Sequence, residues 1–69
     1  MNREAVSSSS VTSIGYDSES STLEVEFSNG SVYQYFDVPE QFHRELMSGG
    51  SIGKVLNSII KGQFRYART

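Results

Sequence analysis

Leu23, Val25 and Phe27 alternate with Glu24 and Glu26, and after one intervening residue comes Asn29-Gly30. Strict alternation over five positions gives a strand one face of which is buried and the other wet. Asn-Gly is the strongest short hairpin signal, because both residues tolerate positive φ. The chain must therefore turn back on itself and run Gly30 to Pro39 antiparallel to the first stretch. Tyr33-Gln34-Tyr35 lies at the centre of that return.

The length of the turn decides where the tyrosines go. A two-residue turn sets Phe27 against Val32 and Val25 against Gln34, which places Tyr33 and Tyr35 beside Glu26 and Glu24. A three-residue turn with a G1 bulge sets Val25 against Tyr33 and Leu23 against Tyr35. A slip of one residue moves every side chain to the other face. The first register exposes an aromatic–acidic surface; the second turns both rings toward the core. Gln34 would sit awkwardly inward in the first, which favours the second.

Before the hairpin, residues 1–9 read as a polar, Ser-rich lead-in. Val11 to Tyr16 is β-branched and aromatic and forms a first strand, with Thr12, Ile14 and Tyr16 on one face. Gly15 marks a bulge or a close backbone approach. Residues 17–21 form a loop by composition. After the hairpin, Pro39 suits the first helical position, and Asp37 with Glu40 has capping-box spacing, with Val38 as the other N-cap position. Phe42 and Leu46 give that helix its apolar stripe, and Ser48-Gly49-Gly50 ends it. Ser51 is a good N-cap for a second helix. Ile52, Val55, Leu56, Ile59 and Ile60 then recur at full helical spacing, and Gly62 suits the C′ position. In the tail from Gln63, aromatic and basic side chains alternate. Phe64 is placed to reach the core, and the last three residues are expected to fray. The architecture expected is α+β: a three-stranded antiparallel meander followed by two helices packed on one face, in the order β-β-β-α-α.

Composition bounds the function. Sixty-nine residues make one domain, ordered from about residue 6 to 66, and a chain of this size buries only about 60% of its unfolded surface. There is no cysteine and a single histidine, His43, so neither a thiolate nor a His-rich metal site is expected. No apolar run exceeds two residues, too short to span a membrane, and the N-terminus lacks the apolar segment of a secretory signal. A soluble, cytoplasmic protein is expected. The net charge of −2 is unevenly divided. Residues 1–45 carry all eight carboxylates against Arg3 and Arg44; residues 46–69 carry Lys54, Lys61, Arg65 and Arg68 and no carboxylate. Such an asymmetry marks an anionic partner, or a basic tail that complements an acidic sheet.

Catalytic residues are not expected. His43 lies mid-helix, and Glu45, two residues on, does not face it. The serines cluster where turn chemistry explains them. Gly49-Gly50-Ser51-Ile52-Gly53-Lys54 resembles a phosphate loop but fails the pattern, since Ser48 replaces the first glycine and Val55 the Ser or Thr. Ser51, Gly53 and Lys54 still make a candidate anion-binding helix start, against an ordinary N-cap after a glycine turn. Lys54, Lys61, Arg65, Arg68 and Tyr66 make a candidate nucleic-acid surface, with Tyr33 and Tyr35 as stacking residues. Single-strand binders combine a positive groove with aromatic platforms. The plain alternative is that Phe64 and Tyr66 edge the core and the arginines solubilise the domain.

The ordered set of these features resembles the KTSC domain family. The residues that carry the resemblance are Ser9-Ser10, Ile14-Gly15-Tyr16-Asp17, Leu23-x-Val25-x-Phe27-x-x-Gly30, Tyr33-x-Tyr35, Val38-Pro39, Ser51-x-Gly53 and Ile60. They span the chain from about Val6 to Tyr66. That family occurs at the C-terminus of some lysyl-tRNA synthetases and as stand-alone small bacterial and phage proteins. The resemblance carries over no catalytic residue, and the family's association with the synthetases suggests RNA or a tRNA as partner; no cofactor is expected. The expected function is a small non-enzymatic binding module for RNA or single strands. The alternative is a protein-interaction module that uses an exposed apolar patch or the edge of the first or third strand. A monomer is expected rather than a homo-oligomer.

Overall fold

The computed structural model describes residues 2–48, 52–62 and 64–69. Its elements are β1 (Arg3–Ala5), β2 (Val11–Asp17), β3 (Thr22–Phe27), β4 (Val32–Tyr35), α1 (Glu40–Met47), α2 (Ile52–Lys61) and β5 (Tyr66–Arg68). The five strands form one sheet in sequence order, antiparallel throughout. The α+β class and the central meander are as expected, but the sheet has five strands, not three. The lead-in contributes β1 and the tail contributes β5. Neither end is a fraying appendage, because each supplies backbone partners that would otherwise leave β2 and β4 as open edges.

The hairpin adopts the three-residue form. Leu23 faces Tyr35 and Val25 faces Tyr33. The Phe27 N–H donates to the Ser31 carbonyl at 2.8 Å, and the Gly30 N–H donates to the Phe27 carbonyl at 2.9 Å. Gly30 takes φ +90°, while Asn29 is not left-handed, so the glycine alone meets the conformational demand of the loop. In this register Gln34 lies opposite Glu24, on the face away from the core.

Thr12 does not share a face with Ile14. The pairing of β2 with β3 shifts between Val11 and Ser13, so the bulge falls at Thr12 rather than at Gly15. The extra residue turns Val11 inward. Val11 and Ile14 are buried and Thr12 is exposed. Gly15 is instead a close approach: a Cβ there would lie 2.7 Å from the Asn2 carbonyl oxygen and 2.9 Å from Cγ of Arg3.

The core lies between one face of the sheet and the two helices. Val11, Ile14, Leu23, Val25 and Tyr35 meet Val38, Leu46, Leu56 and Ile59, all 5% exposed or less. Phe64 reaches this core as expected, edge-on to Phe42 with ring centroids 5.8 Å apart. Ile60 does not join it and remains 49% exposed.

The entry into α1 differs from a capping box. Pro39 occupies the N-cap position with no side-chain cap, and Asp37 sits in the left-handed region at φ +59°. That conformation, which aspartate tolerates better than most residues, aims the Asp37 carboxylate at Arg65 and away from the helix. The expected helix break at Gly49-Gly50 and the N-cap at Ser51 lie outside the described residues. Tyr16 stacks on His43 with centroids 5.1 Å apart, and its hydroxyl donates to the Val38 carbonyl. His43 thus packs against a ring.

The outer face of the sheet is polar but not simply solvated. Glu24 is 9% exposed. Arg3 crosses over Gly15 and ion-pairs with Glu24 at 2.8 Å. Gln34 donates to its other oxygen at 3.1 Å. Ser13 accepts from Arg3 Nε and donates to Glu26. Two glutamates read as a wet face are therefore held in a network that also fastens β1.

Candidate tyrosine groove

The helix-side face of the sheet is not fully covered. Toward the β4–β5 edge the helices leave a groove of about 400 Å³. Its aromatic wall follows from register. Tyr33 pairs with Arg68 and Tyr35 with Tyr66, so all four side chains leave the sheet on the same side. The three tyrosine rings form a cluster. Centroid separations are 6.4 Å for Tyr33–Tyr35 and 6.0 Å for both Tyr33–Tyr66 and Tyr35–Tyr66. These lie within the range of favourable ring contacts. Phe27 extends the cluster edge-on to Tyr33 at 5.7 Å. Ile60 of α2 faces the rings across the groove, and Asn29 and Ser31 close the hairpin end.

The rings differ in access. Tyr35 is 5% exposed, whereas Tyr66 is 65% exposed. Burial pushes the Tyr35 phenol above its ordinary value of 10.0, and the neighbouring Tyr33 and Tyr66 add to the rise. Tyr35 forms the inner wall and cannot offer a ring face for stacking. That capacity belongs to Tyr66 and, in part, to half-buried Tyr33.

The predicted cations are not gathered in one place. Arg68 stands at the groove, its Nη2 donating to Ser31 Oγ at 3.1 Å. Arg65 pairs with Asp37 at 3.2 Å, with both side chains largely in water, a geometry worth less than about 1 kcal/mol. Lys54 and Lys61 lie two helical turns apart on α2 and project from the side opposite Leu56 and Ile59, away from the core. In the candidate anion site, Gly53 and Lys54 are exposed on the first turn of α2, and Ser51 is outside the described residues. Among the described residues no group of three His, Asp or Glu side chains could hold a metal ion. No helix among them is long and apolar enough to cross a membrane.

Phe27, Asn29, Ser31 and Ile60 were not expected in the site. Asn29 reads as a turn residue and Ile60 as part of the core stripe. The signal that could have found them is the two-residue period of Phe64, Tyr66 and Arg68, which marks a strand able to extend the Tyr33/Tyr35 surface.

The fold and groove define a small sheet-and-helix domain that offers a concave aromatic surface. The KTSC domain model matches residues 7–64, and the chain belongs to this family. A KTSC domain protein from Yersinia pestis, solved by crystallography, superposes with a TM-score of 0.89 at 41% identity, covering 99% of this chain and 96% of that one. An uncharacterized protein of Stutzerimonas stutzeri is 45% identical over 69 residues, 99% of this chain and 97% of its own length. A lysine–tRNA ligase of Trichormus variabilis is 45% identical over 51 residues. That match covers 74% of this chain but 9% of the ligase.

Proposed function

We propose that the domain is a non-enzymatic module that binds single-stranded nucleic acid, RNA before DNA, through the tyrosine groove and the basic tail around it. The observation that carries this reading is the exposed ring of Tyr66 over Tyr33 and Tyr35, with Arg68 beside it and no carboxylate among the groove residues. Aromatic faces that accept bases, next to a cation, are the recurring parts of single-strand recognition. The overall negative charge does not oppose it, because Glu24 and Glu26 occupy the other face of the sheet and are engaged there. The occurrence of a homologous segment in a lysine–tRNA ligase supports RNA as the class of partner.

The test is an amide NMR titration with a short single-stranded RNA and with a tRNA, at low and at physiological salt. Shifts confined to residues 29–35 and 60–68 that weaken as salt rises are expected. Unchanged spectra at low salt would remove the reading.

A second reading is favoured by one feature. Arg65 and Thr69 spend their backbone bonds on Phe36 and Val32 of the β4 side. By alternation, Tyr66 and Arg68 direct their N–H and C=O groups away from the sheet. β5 is thus an open edge that an extended peptide could extend, whereas the first and third strands of the expected meander are both interior. Shifts on β5 with an added peptide but with neither RNA would favour that reading.

A further inference from the structure

We infer that the groove takes one unstacked base, and that base capture rather than tracking of the phosphate chain dominates binding; this rests on the nucleic-acid reading above. The cavity, about 400 Å³, falls in the range of sites built for small ligands, and buried Tyr35 is part of its lining. A base entering between Tyr66 and Ile60 has an aromatic face on one side and an aliphatic one on the other. Its polar edge would meet the hairpin end. There Asn29 Oδ1 already accepts from the Ser31 N–H at 3.0 Å, which fixes the side chain and leaves its amide NH2 as a donor. The charge at the mouth suits the phosphate that follows. Arg68 is held by Ser31 through Nη2, so its remaining N–H groups are available to an oxyanion.

The distribution of cations limits what else can contribute. Arg65 is directed toward Asp37 and not into the groove, and Lys54 and Lys61 stand on the far side of α2 from the core. One phosphate, not four, is therefore neutralised at the site. Binding to single strands loses about 0.7 in log K per tenfold salt for each phosphate neutralised. The predicted slope is about 0.7, against about 2.8 for a chain laid across four cations.

The experiment is a fluorescence-anisotropy titration of the full chain with a short labelled oligouridylate and with an abasic ribose-phosphate oligomer of equal length, across a salt series. The abasic oligomer is expected to bind roughly tenfold more weakly. Tyr66→Ala is expected to lose a similar factor for the oligouridylate and nothing for the abasic strand, and Tyr66→Phe to keep full affinity. Because Tyr66 is mostly exposed, both variants should retain the parent circular dichroism spectrum. Equal binding of the two strands with a slope near 2.8 would overturn base capture while leaving nucleic-acid binding intact. Absence of binding to either strand at low salt would overturn both.

Discussion

Arg3 reaches Glu24 only because Gly15 has no side chain to obstruct it. The Arg3 stem lies across the glycine, and a Cβ there would meet both it and the Asn2 backbone oxygen. Gly15→Ala should push β1 from the sheet and cost about 1–2 kcal/mol, the usual scale of overpacking. Arg3→Ala should cost a similar amount by leaving a nearly buried carboxylate with Gln34 as its remaining side-chain partner. Since both changes break the same contact, urea denaturation of the double variant should show a loss well below the sum. Strict additivity would mean that Gly15 and Arg3 act separately. Tyr35 makes a second prediction at this scale. Its phenol is raised above 10.0 in the folded chain, chiefly by burial, so in strongly alkaline solution the unfolded chain releases this proton first. The folded state then binds more protons than the unfolded one, and stability falls as pH rises. The contribution is fully present below pH 10 and is lost from there up through the folded-state value. Tyr35→Phe should flatten this alkaline decline, read from melting temperatures across the pH series.

At the scale of elements, the hairpin and α2 were legible and the outer strands were not. The alternation of Leu23, Val25 and Phe27 specifies a face, Gln34 selects between registers, and the helical spacing from Ile52 specifies α2. β1 and β5 are three residues each and exposed along their length, so β1 has no hydrophobic period to read and β5 shows only the short alternation of Phe64, Tyr66 and Arg68. They form because the backbones of β2 and β4 offer unpaired donors and acceptors, a tertiary demand that no local pattern encodes. The groove was hidden for the same reason, since it exists only once β5 sets Tyr66 beside Tyr33 and Tyr35. Ile60 was misplaced because periodicity shows which residues share a helix side, not how far the sheet beneath them extends. The turn itself can be tested. In the three-residue loop Gly30 carries the left-handed conformation and Asn29 does not. Gly30→Ala should therefore cost about 1–2 kcal/mol in backbone strain. Asn29→Ala should cost less than about 1 kcal/mol, the worth of its bond to the Ser31 N–H. Equal losses in denaturant titrations would point instead to a two-residue turn with both residues left-handed.

For the whole molecule, order should fall from the centre of the sheet outward. β3 is flanked by β2 and β4, and its Leu23 and Val25 are fully buried, so its amides are released only when the domain unfolds as a unit. β5 is a short exposed edge, fixed by Tyr66, Arg68 and the bonds from Arg65 and Thr69 to the β4 side. In a chain this small the overall margin is thin, and an edge of this kind opens without the rest. Native-state hydrogen exchange in rising denaturant should therefore separate the two. Exchange of the β3 amides should accelerate with the full denaturant dependence of global unfolding, while the Phe36 and Thr69 amides should exchange faster and almost independently of denaturant. A common dependence would show β5 to be part of the cooperative core. The distinction bears directly on binding, because Tyr66, the most exposed ring of the groove, stands on β5. If that strand opens on its own, a base that stacks on Tyr66 must also hold the strand closed. Affinity is then reduced by the fraction of time the strand is open, and slower exchange at Phe36 and Thr69 on adding oligouridylate would report the closed groove directly.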